Sequence, residues 1–226
     1  MWLYEHLQHI GFLMRKNSKR AILVISLLLL ASVAACGVNM GQYEEPRYTV
    51  ERADSSFEIR LYAPSLVAEA VTKGSREKAI NEGFRILADY IFGNNTANAS
   101  VAMTTPVSQT SEKIAMTAPV SQSLEGKDGV WRTRFTMPTK YTFETLPTPN
   151  DARVQISKTE AKRFAVVRFS WSTNDENLNA HQKMLEEWIV KEKLKPISPA
   201  SYSFYNPPWT LPFLRRNEVW IEIDKE

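Results

Sequence analysis

Apolar residues of this chain first recur with the period of a β-strand and then with the period of an α-helix. Phe57-Glu-Ile-Arg-Leu61 alternates between apolar and polar residues, Leu66–Val71 is a mostly apolar run, and Arg76–Phe92 carries apolar residues at helical spacing. We therefore predict two strands and then an amphipathic helix that lies on a sheet, with Ser75 as its N-cap.

The same order returns in the second half of the chain. Val154–Ser157 and Phe164–Ser170 have the composition of strands, and Leu178–Lys193 has the apolar stripe of a helix. Thr173-Asn-Asp-Glu176 resembles a capping box in front of that helix. The first strand-strand-helix segment takes 35 residues and the second takes 36, so the two halves have nearly equal spacing.

These patterns predict an α+β fold in one domain, residues 47–226. We expect duplicated β-β-α-β units, related by a pseudo-two-fold axis, that form a curved antiparallel sheet or a distorted eight-stranded barrel with two helices. Four further segments complete the predicted strands: Tyr48–Val50, Val130–Met137, Tyr202–Tyr205 and Glu218–Ile223.

One short motif occurs twice between the two halves. Val101–Gln109 and Ile114–Gln122 are identical at seven of nine positions, and each has a Met followed by Thr-x-Pro-Val. A proline has no amide hydrogen to give to a ladder, so each copy predicts a short strand that ends at the rim of a sheet. The copies either lengthen a hairpin or face a ligand through Met103 and Met116, since thioethers adapt to flat apolar ligands.

Residues 1–36 are typical of a bacterial lipoprotein signal. The signal begins with four basic residues, Arg15, Lys16, Lys19 and Arg20, and continues with an apolar run. It ends at Val33-Ala-Ala-Cys36, which resembles a lipobox. In lipoproteins the Cys of the lipobox carries fatty acyl chains such as palmitate after the signal is cleaved. Residues 37–46 then form a polar spacer. A complete signal also begins at Met14, so both Met1 and Met14 are candidate start residues. An uncleaved anchor helix is the alternative interpretation.

The signal changes the charge and cysteine balance of the chain. Four of the 28 Lys and Arg and one of the 25 Asp and Glu lie in residues 1–35, which leaves 24 of each in the mature chain. No net basic field remains to favour nucleic acid. Cys36 is the only cysteine, which fits lipid attachment and excludes an internal disulfide. We expect a lipid-anchored protein of the bacterial cell envelope, in the outer membrane where the organism has one, because Gly37 is not acidic.

A proline-rich passage follows the predicted strand at Tyr202. In Tyr205-Asn-Pro-Pro-Trp209 and Thr210–Leu214, prolines hold the chain extended and present Trp209 and Phe213 on a stiff loop. Such a loop serves as a lid over a groove or as a structural plug, and the residues alone favour the plug.

Three motifs in this order resemble the SOUL haem-binding protein family. They are Ile114-Ala-Met-Thr-Ala-Pro-Val120, Tyr205-Asn-Pro-Pro-Trp209 and Arg215-Arg-Asn-Glu-Val-Trp220, and the resemblance runs from about Glu45 to the end. It implies a tetrapyrrole ligand, haem b or another porphyrin, held non-covalently and mainly by apolar contact against the first helix.

A haem needs an apolar slot and cations at its mouth. The slot residues we predict are Phe84 and Ala88 on the first helix with Met103 or Met116, and an ordinary core is the alternative for such residues. The predicted partners of the haem propionates are Arg85, Arg215 and Arg216. An ordinary solvated surface is the alternative for these arginines, and for Arg215 and Arg216 so is a structural ion pair with Glu218.

We predict no metal ligand from the protein. His181 is the only histidine after residue 36, and its place beside the apolar stripe of the second helix favours packing over axial ligation. The haem is therefore expected to be exchangeable, as in a carrier or buffer, and we predict no enzyme activity.

Three alternatives remain open from the sequence. The domain binds a different amphipathic small molecule, it is a hydrolase that uses Glu218 as a base, or it is an envelope interaction protein with Trp209 and Phe213 as anchors.

Overall fold

The computed structural model describes residues 43–98, 110–126 and 129–224. Neither of the helices in these ranges is long and apolar enough to cross a membrane. The helices are α1 (Arg76–Phe92) and α2 (Asp175–Lys191), with a short 3-10 helix at Pro212–Leu214. The strands are β1 (Tyr48–Asp54), β2 (Phe57–Tyr62), β3 (Leu66–Lys73), β4 (Asn95–Thr96), β5 (Val120–Leu124), β6 (Val130–Thr136), β7 (Thr148–Pro149), β8 (Gln155–Lys158), β9 (Lys162–Phe169), β10 (Ser201–Phe204) and β11 (Asn217–Glu222).

Nine of these strands form one antiparallel sheet in the order β1-β2-β9-β11-β10-β5-β6-β3-β8, and β4 pairs separately with β7. The sheet is curled into a half-barrel, which confirms the predicted α+β fold and the curved sheet. It has nine strands and not eight, because β1 pairs with β2 in a hairpin and adds a strand outside the two repeated units. Within the described ranges β1 and β8 remain edge strands, so the barrel is open.

The strand order has the symmetry expected of two related units. If β2, β3, β5 and β6 correspond to β8, β9, β10 and β11, then the order β2-β9-β11-β10-β5-β6-β3-β8 is the same when read from either end. The first strand of each unit pairs in the other half, β2 with β9 and β8 with β3. The two halves therefore form one continuous sheet, since each half contributes its first strand to the other.

Both helices pack on the same face of the sheet. α1 covers β3 and β6, and α2 covers β9 and β11. Ala68 and Phe135 pack beneath α1 with Leu87, while Val167 and Val219 pack beneath α2. Side chains alternate across a strand, so the residues between these positions face the opposite side of the sheet, which we call the helix-free face.

The start of α2 and the second Met-Thr-x-Pro-Val copy differ from the prediction. Asn174 is the N-cap of α2, and its side chain accepts a hydrogen bond from the backbone N–H of Asn177, so the predicted capping box is wrong. The copy at Ile114–Gln122 does not form a strand that ends at its proline. The ladder begins only after Pro119, at Val120, because proline offers no N–H to a neighbouring strand. The copy at residues 101–109 lies outside the described residues.

Gly83 allows α1 to approach β6 closely. A Cβ added there would lie 2.4 Å from Thr133 Oγ1 and 2.7 Å from Thr133 Cβ. Gly83→Ala should therefore lower the free energy of unfolding, because a clash of about 1–3 kcal/mol exceeds the gain of roughly 1 kcal/mol in helix propensity. Chemical denaturation measures the change. Asn81→Ala on the exposed side of the same helix is the control and should be neutral or stabilising. Equal effects of the two substitutions would contradict the close approach.

Candidate functional site

The outer side of α1 carries two of the residues predicted to contact a ligand, Phe84 and Arg85. Ala88 lies one turn after Phe84, but it is buried. Phe84 is 38% exposed, although its ring packs edge-on against Phe135 with the ring centroids 5.4 Å apart. Arg85 is exposed and, among the described residues, has no ion-pair partner. An apolar ring and an uncompensated cation thus stand side by side.

A row of apolar side chains on the sheet leads away from Phe84 between the two helices. Phe135 pairs across the ladder with Val120, and Val120 pairs with Phe204, so the three side chains share the helix-covered face. β5 and β10 lie between the strands that α1 and α2 cover. We call Phe84, Phe135, Val120 and Phe204 the interhelix strip; Phe135 and Val120 are buried in the core, Phe204 is half-buried and Phe84 is exposed. Met116, which is half-buried, packs against the cluster beneath α1, so it adjoins this region.

The structure does not bring Arg215 and Arg216 to α1. Arg215 donates from Nη2 to the carbonyl oxygen of Pro208 (2.6 Å) and from Nε to that of Thr210 (2.8 Å), so its guanidinium is engaged inside the β10–β11 loop. Arg216 pairs with Glu218 at 2.9 Å on the helix-free face. Of the three predicted propionate partners, only Arg85 lies on the outer side of α1.

Glu218 is the centre of a buried polar network on the helix-free face. It is fully buried, and Arg60, only 2% exposed, donates to both of its carboxylate oxygens at 2.8 and 3.1 Å. Tyr205 Oη and Trp220 Nε1 also donate to it, at 2.8 and 2.7 Å, and Arg216 Nε completes the set. Five donors therefore hold one carboxylate.

These contacts fix the charge states in the network. Burial alone would raise the pKa of Glu218, but the hydrogen bonds and charges of Arg60 and Arg216 outweigh it and lower the pKa below its ordinary value. Burial likewise opposes the charge of Arg60, and Glu218 more than compensates, so the pKa of Arg60 is raised. The carboxylate is ionised, saturated with donors and closed to solvent. The hydrolase hypothesis that uses Glu218 as a base therefore has no geometric support.

The helix-free face also contains a pocket of about 280 Å³. Arg132 and Arg134 of β6 line one side, and Tyr62, Phe164 and Trp220 line the other. In the order of the sheet, β2 and β3 are separated by five strands, and residues of both line this one pocket. Seven flat strands would extend over about 29 Å, so the shared pocket requires a curled sheet. Ligand pockets for drug-sized molecules are roughly 300–1,000 Å³, so this one suits a molecule smaller than a tetrapyrrole.

The other residues considered from the sequence are distributed as follows. His181 lies on α2, where its ring stacks on Phe169 at 3.9 Å and its Nδ1–H donates to the carbonyl oxygen of Asn177 at 2.8 Å. Met103 lies outside the described residues. Trp209 and Phe213 are exposed, so they plug no cavity, and the plug interpretation of the β10–β11 loop is wrong. In the described part of the chain, no three His, Cys, Asp or Glu side chains form a metal-binding group.

A curled antiparallel sheet with both helices on one face defines an α+β half-barrel. The model of the SOUL heme-binding protein family matches residues 43–222. The chain therefore belongs to the SOUL heme-binding protein family.

Individual proteins are similar to this chain at low sequence identity. Heme-binding protein 1 of Xenopus laevis is 25% identical over 175 residues, which are 76% of this chain and 85% of that protein. The structure of an EcmrR–DNA complex is 9% identical, with a TM-score of 0.52, and the match covers 96% of this chain and 70% of that one. A hydrolase from Listeria innocua is 10% identical, with a TM-score of 0.49 over 77% of this chain and 94% of that one.

Proposed function

We propose that this protein binds haem or another tetrapyrrole non-covalently at the outer side of α1, at the exposed Phe84 end of the interhelix strip, as a carrier or buffer. The observation that carries the proposal is the incomplete burial of Phe84, an apolar ring on a helix of a haem-binding family member. Phe84 is 38% exposed and lies beside Arg85, which pairs with no acidic side chain in the described part of the chain. A porphyrin face stacked there would cover the ring, and Arg85 would meet a propionate.

The protein offers no imidazole at this place, which favours exchangeable binding. His181 is the only histidine after residue 36, and it lies on α2 against Phe169. Binding then depends on apolar contact and on the charge of Arg85. Haem held in this way leaves readily, as a carrier or buffer requires, and its iron remains available to a receiving protein.

We further propose that the protein is lipid-anchored through Cys36 in the bacterial cell envelope and faces an extracytoplasmic compartment. The support is the sequence of residues 1–36, with its basic start, apolar run and Val-Ala-Ala-Cys end. Where the organism has an outer membrane, Gly37 after the Cys favours that membrane. Mass spectrometry of the N-terminal peptide tests the anchor. A diacyl or triacyl adduct on Cys36 supports it, and a chain that retains residues 1–35 contradicts it.

Haemin titration of the full-length protein in detergent tests the ligand. We expect a Soret shift that saturates at a fixed ratio of haem to chain, and a bound spectrum that His181→Ala leaves unchanged, because His181 is not a ligand in the proposal. Transfer of the haem to apomyoglobin should then be complete, since that protein supplies an imidazole. A linear, unsaturable absorbance change would contradict the proposal.

A different amphipathic small molecule is the second candidate. The pocket of about 280 Å³ on the helix-free face favours this second ligand class. In that pocket Arg132 and Arg134 of β6 lie opposite the aromatic rings of Phe164 in β9 and Trp220 in β11, a lining that suits an amphipathic molecule. This candidate predicts no saturable Soret shift, together with stabilisation against heat by a smaller ligand that Arg134→Ala abolishes.

A further inference from the structure

The β10–β11 loop exposes large apolar side chains at one end of the sheet. Trp209 is 81% exposed, and Leu211, Phe213 and Leu214 are each more than half exposed. Trp171 lies beside them, with its backbone N–H bonded to the carbonyl oxygen of Pro212 at 2.9 Å, and it is exposed as well. Contiguous apolar surface of this kind marks a place of contact with another phase or another molecule.

The loop is held in shape from within. The Arg215 side chain binds the carbonyl oxygens of Pro208 and Thr210, and the Leu214 backbone N–H donates to the carbonyl oxygen of Leu211 at 2.9 Å. Because these bonds and the prolines fix the backbone, the apolar side chains lose little conformational freedom when they are buried elsewhere.

The chain enters the domain at the base of this loop. Glu45 forms an ion pair with Arg216 at 3.0 Å, and the backbone N–H of Ala118 donates to the carbonyl oxygen of Glu44 at 3.0 Å. Cys36 precedes Glu45 by nine residues, which span at most about 32 Å. A lipid on Cys36 would therefore keep the base of the β10–β11 loop within that distance of the bilayer.

We propose that the β10–β11 loop inserts Trp209, Leu211, Phe213 and Leu214 into the interfacial layer of the bilayer that holds the Cys36 lipid. This inference rests on the proposed lipid anchor. Tryptophan is enriched at the membrane interface, where one side of its ring meets acyl chains and its N–H meets water. The tether raises the local concentration of the loop at the surface, so the loop needs only weak affinity of its own.

Site-directed spin labelling of the full-length, lipidated protein in vesicles of phosphatidylethanolamine and phosphatidylglycerol tests the insertion. A nitroxide at Leu214→Cys should collide with oxygen several-fold more often than the same label at Ile197→Cys, and less often with an aqueous nickel chelate. Ile197 is the matched control, because it is 53% exposed against 51% for Leu214 and its N–H bonds Glu222 at the opposite end of β11. Adding Trp209→Ser and Phe213→Ser to the Leu214→Cys protein should return its label to aqueous behaviour.

Two results would overturn the insertion. Nitroxides at Leu214→Cys and Ile197→Cys with the same aqueous profile would show that the loop stays in water. A Leu214→Cys label that is shielded equally with and without vesicles would show that the loop covers its own domain or another protein. The mass of the Cys36 peptide, read on the same samples, decides the anchor separately, so a failed anchor and a failed insertion are told apart.

Discussion

Glu218→Gln should lower the free energy of unfolding by about 3–5 kcal/mol, the cost of removing one partner from a buried ion pair. The amide has nearly the same shape as the carboxylate, so packing is kept, but the charge and one of the two acceptor oxygens are lost. Arg60 would then be buried with its Nε bonded to Glu58 at 2.6 Å and without the carboxylate that now accepts from both of its terminal nitrogens. Urea denaturation of the two proteins at neutral pH measures the difference.

A matched substitution on the same strand separates burial from charge. Glu222 lies four residues on, faces the same side of the sheet and pairs with Lys162 at 2.7 Å, but both side chains are partly exposed. Glu222→Gln should cost less than about 1 kcal/mol. Arg60→Met combined with Glu218→Gln should cost less than the sum of the single substitutions, because the buried cation that lost the Glu218 carboxylate is also removed. A Glu218→Gln effect no larger than that of Glu222→Gln would refute the buried network as a source of stability.

The pH dependence of this stability has a definite sign. The pKa of Glu218 is lowered in the folded state, so its carboxylate stabilises the fold at every pH above the unfolded pKa of about 4.3. That contribution is lost as the pH falls through the folded pKa. The difference between the native protein and Glu218→Gln should therefore be constant from pH 5 to 8, and it should shrink only in acid, below about pH 4.

Most strands and both helices follow from local pattern, and Arg60 shows where local pattern fails. Phe57-Glu-Ile-Arg-Leu61 alternates as a strand with one face in the core, so the sequence places Arg60 in solvent. The other face of this sheet is the inside of a half-barrel, and Arg60 is therefore buried against Glu218. The helix-free face is enclosed because β2 pairs with β9 and β8 pairs with β3, across the two halves of the chain. Strands so far apart in sequence leave no periodic signal that predicts their pairing.

The candidate site was predictable only where one helix supplies it. Phe84 and Arg85 are adjacent and exposed on α1, while Ala88, one turn after Phe84, is buried. Arg216 is separated from them by the sheet itself, since it points to the helix-free face with Glu218. A resemblance to a family indicates which residue types matter, but the face on which each one lies is decided by strand register.

Phe84→Asp should weaken haem binding by about ten- to thirtyfold, or roughly 1.4–2 kcal/mol. Part of this loss is the apolar area of the exposed ring, and part is repulsion between the new carboxylate and the haem propionates, which would also draw Arg85 away from the ligand. Haemin titrations followed at the Soret band give the dissociation constants.

The controls for Phe84→Asp distinguish a lost ligand contact from a damaged fold. Phe143→Asp introduces the same change at an aromatic residue that is 57% exposed in the β6–β7 connection, and it should leave haem affinity within about twofold. Phe84→Leu keeps an apolar side chain against Phe135 and should cost less than about threefold. Equal losses at Phe84 and Phe143 would show that haem meets the protein by general charge and not at α1. Full affinity in Phe84→Asp would show that the tetrapyrrole does not contact Phe84, and Phe92, the other exposed apolar ring of α1, would be the next position to test.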